Sequence, residues 1–493
     1  MIWQKVACRL KKNPDNRLLI LLSLVFIVHF PLLFNDFHTD DFLILKIMRD
    51  GFDWKAFKHM ENPFNFRPLT NLAVFARYHL LGETPSLWYL LNIGLHLLAT
   101  VFVYRFLLDH LDRNSAFFGG LFFGIYFAHF EAVLWLYGIV RLLLSLSILI
   151  TWRMTVRGER AQHGSRPYAP AVIYLAALLC AEDALLLLPF FIVLTAESTI
   201  ETEKKMKRAL GFAVAAAVYF VLRLTLTGQI PDASELYHPG AHILTNIFHY
   251  TGWLLLPQMD HPYFMPFVER YASFAIPFIK PVNIAVFAAA LVAAAVIIFR
   301  GTAFEKISLL FIFMSLLPSL PLDSKVSSKL LYLPSIGVAF LAGSLWQRSS
   351  LRLRGFGGKI IIVIAALYFI VQALAINLTI RYYHSLQAAS EIILKKIDDM
   401  KIDFNRYAYV LVDNAPGRSR PWTPFRLRYG YRGEVRARND AYEKQMDLDS
   451  LMAELEKRNI NYIALDCGGK TVKISRIFDP RDDTGSGSPG DSL

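Results

Sequence analysis

Cysteine is scarce: Cys8, Cys180 and Cys467 are the only three in 493 residues. The odd count and scattered positions give neither metal-ligand spacing nor a disulfide framework, which sets thiol redox chemistry aside. Charge is scarce too. Only 19% of the residues are Asp, Glu, Lys or Arg, against 55% hydrophobic, and the mean hydropathy is +0.38. That balance excludes a soluble globular chain and indicates a polytopic α-helical membrane protein. No internal repeat is found, and no small-residue cleavage site follows the first apolar run, Leu18 to Phe34. The run reads as an uncleaved first span rather than a signal peptide.

The formal charge is +12, a value that elsewhere would suggest a nucleic-acid partner. Here the basic residues sit in short clusters between apolar segments, as the positive-inside rule expects of cytoplasmic loops. Lys5, Arg9, Lys11, Lys12 and Arg17 place the N-terminus in the cytoplasm and put "NDFHTDD" outside. Residues 35–84 are mixed and aromatic, too polar to span, and read as a large first outer loop with interfacial helices.

Alternation of basic marks then carries the chain back and forth. Pro85 to Leu108 returns inward to "DHLDRN", and a hairpin runs out and back to Arg153, Arg157, Arg160 and Arg166, turning near "YFAHFEAV". Tyr168 to Ala196 is basic at both ends, so one helix there would break the rule. Split at "CAEDA", it gives two helices of about 13 residues, short against the ~20 of a full span and tolerable where Glu182 and Asp183 line an outward hollow. Ala209 to Thr227 goes out and Val282 to Phe299 returns, with Ile243 to Pro257 between them re-entrant or interfacial. Ile307 to Leu322, Leu330 to Trp346 and Ile360 to Ile380 complete about 11 spans, N-terminus in and C-terminus out.

The transmembrane domain thus covers residues 1–380. Residues 381–480 change character: an amphipathic helix near Ser385 to Met400, a strand-like "YAYVLVDN", a helix "LDSLMAELEKRN" and strands "NYIALDC" and "TVKISRIF" predict a small extracytoplasmic α/β domain. Within it Arg418, Arg420, Arg426, Arg428, Arg432, Arg436 and Arg438 interleave with Trp422, Phe425, Tyr429 and Tyr431. Such a loop suits sugars or acidic glycans, and equally an anionic membrane surface. Residues 481–493, "DDTGSGSPGDSL" with its preceding residue, read as a disordered tail.

This topology, derived from Lys and Arg alone, gathers Asp40, Asp41, His129, Glu131, Glu182 and Asp183 on one face. Four loops supplying ionisable groups to one side is the pattern of a site. "HTDD" before "FLILKIM" is also a good helix start. His129 and Glu131, two apart, point to different faces of a regular helix and act jointly on a phosphate or a divalent metal only where the turn is irregular. Arg141 reads as lying well inside the fourth span, where a lipid-facing arginine costs about 2.5 to 3.5 kcal/mol. It therefore faces a partner, with Glu182 or a carrier phosphate as the candidates.

The blocks "TDDF", "FRPLTNL" (Phe66 to Leu72), "LLNIGLHLL" (Leu90 to Leu98), "HFEAVLWLYG" (His129 to Gly138), "EDALLLLP" (Glu182 to Pro189) and "LLYLPSIG" (Leu330 to Gly337) occur in that order. The set resembles the GT-C class of integral-membrane glycosyltransferases, closest to the branch of protein O-mannosyltransferases and related mannosyltransferases with tetratricopeptide repeats, here without the repeats. The resemblance implies a GT-C-like fold and transfer of a sugar from a polyprenyl-phosphate donor to an acceptor hydroxyl, on protein or glycan, at the outer face of a bacterial inner membrane. It places the catalytic base at Asp40, with Asp41 beside it.

The same resemblance puts Arg67 on a phosphate, where the plainer reading is a snorkelling arginine. It places Lys329 and Tyr332 where an arginine and a tyrosine are usual; they read as phosphate ligands or as interface anchors. This chain departs from the pattern in having Ile139, Val140 and Arg141 after Gly138, and Ala181 before Glu182. The rival reading is therefore a non-catalytic protein that binds or translocates lipid-linked sugar. A polymerase or ligase dominated by a late outer loop is disfavoured by the acidic first loop.

Overall fold

The computed structural model describes residues 16–37, 41–51, 53–59, 65–157, 167–228, 240–257, 265–322, 327–352, 356–398, 400–413, 434–437, 448–467 and 473–479. In chain order the helices are α1 (Asn16–His29), α2 (Asp41–Asp50), α3 (Trp54–His59), α4 (Pro68–Leu81), α5 (Pro85–Leu108), α6 (Arg113–Gly124), α7 (Phe130–Leu134), α8 (Ile139–Arg157), α9 (Ala169–Cys180) and α10 (Leu188–Ala196). They continue with α11 (Thr202–Thr227), α12 (His242–Trp253), α13 (Met265–Tyr271), α14 (Ile276–Arg300), α15 (Ala303–Leu316), α16 (Pro334–Arg352), α17 (Phe356–Asp398) and α18 (Leu448–Lys457). The chain divides into two compact units, one of Met1–Phe34 with Phe52–Ile380, the other of Asn35–Gly51 with Arg381–Leu493.

The first unit is a multi-pass helical membrane body. Among the described residues, Asn16–Phe34, Pro85–Leu108, Leu136–Val156, Thr202–Thr227, Ser273–Arg300 and Lys359–Ser385 are long and apolar enough to cross a membrane. The pair Arg113–Gly124 and Phe127–Leu134, bent by 48°, makes a seventh if it counts as one span. Each of the segments expected to span carries a helix, but several are short. With 12 and 9 residues, α9 and α10 rise only about 18 and 14 Å, against the ~30 Å of a bilayer core. The break expected at "CAEDA" falls at Ala181, whose extended backbone (φ −159°) separates α9 from a 3-10 helix over Glu182–Leu187.

Close helix packing uses missing side chains. A Cβ on Gly119 of α6 would come 2.6 Å from the Ala339 carbonyl of α16, and one on Gly337 would come 2.8 Å from the Ser308 carbonyl of α15. These helices approach backbone to backbone, where dispersion rather than water exclusion holds them. Phe106 and Phe340 stack at 4.6 Å between ring centres, with Trp152 edge-on to both. Glu305, fully buried, closes a capping box with Thr302 and also takes Ser344 (2.8 Å) and Arg348, so one carboxylate joins α15 to α16.

In the second unit a four-stranded sheet runs in the order β2-β1-β3-β4, with β1 (Tyr409–Asp413), β2 (Glu434–Ala437), β3 (Tyr462–Asp466) and β4 (Lys473–Phe478). β1 is parallel to β2 and β3, and β4 is antiparallel to β3. Val410, Val412, Ile463 and Leu465 pack on Leu394, Ile397 and Phe404, while Leu411 and Ala464 face Leu455 of α18. The central strands are covered on both faces, as a parallel pair requires. The helix expected near Ser385 to Met400 is not separate; it is the end of α17, 43 residues long.

Residues 35–51 group with this unit. α2 buries Ile44, Leu45 and Met48, and the Gln387 side chain brackets Asp36 by accepting from its N–H (3.2 Å) and donating to its carbonyl. β2 corrects one expectation: Glu434–Ala437, read as part of the arginine-rich loop, is a strand that includes Arg436. Its four residues are too short and too charged to show a period. Arg418, Arg420, Arg426, Arg428, Arg432 and Arg438, their interleaved aromatics, and the tail 481–493 lie outside the described residues.

Candidate active site

The break at Ala181 frees backbone carbonyls that the fold satisfies from side chains. Thr70 Oγ1 donates to the Cys180 carbonyl (2.9 Å) and Tyr174 OH to the Ala184 carbonyl (2.8 Å). The first two residues of the following 3-10 helix are Glu182 and Asp183, and each meets an arginine. Arg67, just before Pro68 at the first position of α4, donates from Nε to Glu182 Oε2 (2.9 Å) and from Nη2 to Oε1 (2.6 Å). This is the bidentate fork of guanidinium on carboxylate. Arg141 pairs with Asp183. Burial opposes the charge of Arg67, but the charge and hydrogen bonding of Glu182, together with Tyr137 and Asp183, outweigh it and raise the Arg67 pKa above its ordinary value.

Tyrosines surround the two pairs. Tyr137 is an electrostatic neighbour of Arg67, and its hydroxyl donates to Asn71 Oδ1 (2.7 Å). Asn71 Nδ2 in turn donates to the Ala56 and Phe57 carbonyls (3.2 and 3.0 Å), which ties α3 to α4. Tyr219 neighbours Glu182 and Arg67. Tyr250 neighbours Glu131, Arg141 and Asp183.

One sequence reading of Arg141 is corrected here: its carboxylate partner is Asp183, because Glu182 is taken by Arg67. Arg141 itself stands in the first turn of α8. The reason lies in the residues before it. A 3-10 turn over Phe127–His129, the single turn of α7 and another 3-10 turn over Leu136–Gly138 make up the irregular run that leads into α8. Gly138 is required there, since a Cβ would overlap the Ala132 carbonyl. The carbonyls left open by this irregular run are met by Asn92 Nδ2, which donates to Val133 (3.0 Å) and Trp135 (2.9 Å), and by Arg77, which donates to Leu136 (3.3 Å). Irregular backbone within a membrane protein is tolerated where protein groups satisfy it.

His129 and Glu131 reach different partners on one segment. Glu131 Oε2 accepts from Ser327 Oγ (2.6 Å), Ser328 Oγ (2.6 Å) and the Lys329 N–H (2.8 Å). His129 Nε2 lies 2.7 Å from Ser335 Oγ, which itself donates to the Tyr332 carbonyl (2.7 Å). The serine proton being used, the imidazole is the donor. Tyr332, fully buried, points its hydroxyl at His96 Nδ1 (2.7 Å). His96 Nε2 must donate to the Gly124 carbonyl (2.9 Å), so Nδ1 accepts from the tyrosine. Lys329 Nζ lies over the Trp135 ring, 4.1 Å from its centre. Among the described residues no group of three or more His, Cys, Asp or Glu converges as a metal site.

No family model matches this chain, and no curated protein matches it. Among solved structures it is similar to the Archaeoglobus fulgidus oligosaccharyltransferase tethered with an acceptor peptide, at 11% identity and a TM-score of 0.47, covering 92% of this chain and 69% of that one. It is similar to the same organism's AglB in complex with an inhibitory peptide and a dolichol-phosphate, at 10% identity and 0.47, over 91% and 69%. It is also similar to ArnT from Cupriavidus metallidurans bound to undecaprenyl phosphate, at 13% identity and 0.45, over 92% and 93%. At these values the likenesses fix neither the family nor the chemistry of this chain.

Of the residues singled out in the sequence, Arg67 with Glu182, and Arg141 with Asp183, are brought together. His129, Glu131, Lys329 and Tyr332 form a second set around residues 327–335. Asp40 lies outside the described residues. Asp41 is the first residue of α2 and is buried, in the second unit. Sequence reasoning missed Asn92, His96, Asn71 and Arg77. The signal for two of them was present: Asn92 and His96 stand four apart, on one face of an otherwise apolar helix, the placement of intramembrane polar residues that bond across helices.

Proposed function

We propose that this chain is a GT-C-type glycosyltransferase that moves a sugar from a polyprenyl-phosphate donor to an acceptor hydroxyl, on a protein or a glycan, at the outer face of a bacterial inner membrane. The observation that carries the reading is the set of two arginines and one lysine, Arg67, Arg141 and Lys329, held within an apolar helical body by carboxylates and a tryptophan. Cations within an apolar helical body are costly unless they serve a partner or a ligand, and a lipid-linked phosphate is the ligand a membrane presents to such a body.

In the proposed reaction the Asp40 carboxylate takes the proton of the acceptor hydroxyl as its oxygen attacks the anomeric carbon. The bond from that carbon to the carrier phosphate breaks, the phosphate leaves with the electron pair, and one displacement inverts the configuration. The leaving group needs cationic neighbours rather than a general acid, which is the role given to Arg67, Arg141 and Lys329. Asp41 orients Asp40, and His129, Glu182 and Tyr332 maintain the site around the phosphate.

The test is transfer of labelled sugar from undecaprenyl-phosphate sugars by the purified protein in lipid nanodiscs, where retention of bound carrier without transfer would favour the second reading, a lipid-linked-sugar binding or translocating protein. One observation favours that rival: each arginine is already neutralised by a carboxylate. Orientation has its own check. Reporters fused after Glu159 or Lys204 are expected in the cytoplasm and those after Glu235 or Asn405 outside, and a cytoplasmic signal after Asn405 would overturn the proposed topology.

A further inference from the structure

We infer that Glu131 is a positioning residue that aims Lys329 at the phosphate of the lipid-linked donor, rather than a ligand of phosphate or metal itself. The inference rests on the proposed reaction and deepens it. The single turn of α7 closes with the Trp135 N–H donating to the Glu131 carbonyl (3.2 Å), so Glu131 and Trp135 stand four apart on one face. Both act on the same lysine. Glu131 Oε2 takes the Lys329 backbone N–H and the hydroxyls of the two preceding serines, and the Trp135 ring takes the Lys329 ammonium.

Three donors converging on one carboxylate oxygen fix the backbone of the turn, since hydrogen bonds to a charged acceptor are about twice as strong as neutral ones. The ammonium is held differently. Its charge faces the negative side of the Trp135 ring, 4.1 Å from the centre. A stem fixed through its backbone sets where the ammonium can reach, and in that sense Glu131 aims it. Tyr250 has Glu131 as well as Arg141 and Asp183 as electrostatic neighbours.

The experiment uses the full chain in nanodiscs and measures binding of undecaprenyl phosphate together with donor KM and kcat. Lys329→Met and Glu131→Gln are each expected to weaken phosphate binding and raise donor KM by ~10-fold, and the double variant to be no weaker than Lys329→Met alone, because residues acting through one another are not additive. Ser327→Ala with Ser328→Ala, which leaves Glu131 in place but removes two of its donors, is expected to reproduce the Glu131→Gln defect and serves if that variant does not fold. Unchanged binding in Glu131→Gln or in the serine variant, a product of the two single effects in the double variant, or a loss confined to kcat overturns the positioning role. Wild type that binds no undecaprenyl phosphate overturns the donor reading along with it, whereas wild type that binds and transfers beside an unaffected Glu131→Gln overturns the positioning role alone.

Discussion

Purified Asp40→Asn protein is expected to transfer sugar about 10²- to 10⁴-fold more slowly than wild type at an unchanged protein level, the range that removal of a general base produces. Asparagine keeps the shape of the side chain and loses its negative charge and, with it, the capacity to accept the acceptor's proton. Asp41→Asn is expected to cost less. Helix α2 begins at Asp41, so that carboxylate sits in the first turn, where a negative charge favours the helix dipole. Donor binding is expected to survive both changes, since removing a negative charge beside a carrier phosphate cannot weaken their attraction. Labelled-sugar transfer and donor binding, measured side by side on both variants, decide the matter; full activity in Asp40→Asn removes the base assignment.

What could be read without coordinates depended on whether the energy of a feature is local. The break at Ala181 was legible because basic residues at both ends of Tyr168 to Ala196 forbid one span and two acids mark where it must open. That Arg141 has a partner was legible from the cost of an unpaired cation in lipid. Which partner was not, because Glu182 and Asp183 are adjacent and the choice turns on the irregular run before α8, built around a glycine whose need appears only when the Ala132 carbonyl lies against it.

The partners of Glu131 were illegible for a related reason. Ser327 is 196 positions away, and no period in either segment states that they meet. His129 and Glu131 do diverge, as their spacing requires, yet both end on residues 327–335, so the pair shapes one turn from two directions. The unread strand β2 is the remaining case: four residues, Glu-Val-Arg-Ala, take strand form through pairing with β1 rather than through their own pattern.

The paired ions offer a way to separate what holds the site together from what it does. Arg141 and Asp183 have side chains only 9% and 13% exposed, so the small values of surface ion pairs do not apply. Arg141→Met leaves the Asp183 carboxylate buried beside a thioether and is expected to lower stability by about 3 to 5 kcal/mol, the cost of breaking a buried pair by removing one partner. Arg141→Met combined with Asp183→Leu removes both charges and fills both volumes; such replacements are often neutral or stabilising, and Arg67 keeps Glu182 as its own partner. Thermal unfolding of the purified variants is therefore expected to show a large loss in the single substitution and recovery in the double. Activity is expected to follow a different order. If Arg141 faces the carrier phosphate, the double variant is as stable as wild type and still defective in donor binding, with a raised KM in transfer assays, because no cation remains at that position. A double variant that binds donor and transfers sugar at the wild-type rate would make the pair a purely structural tie and leave Arg67 and Lys329 as the cations assigned to the phosphate.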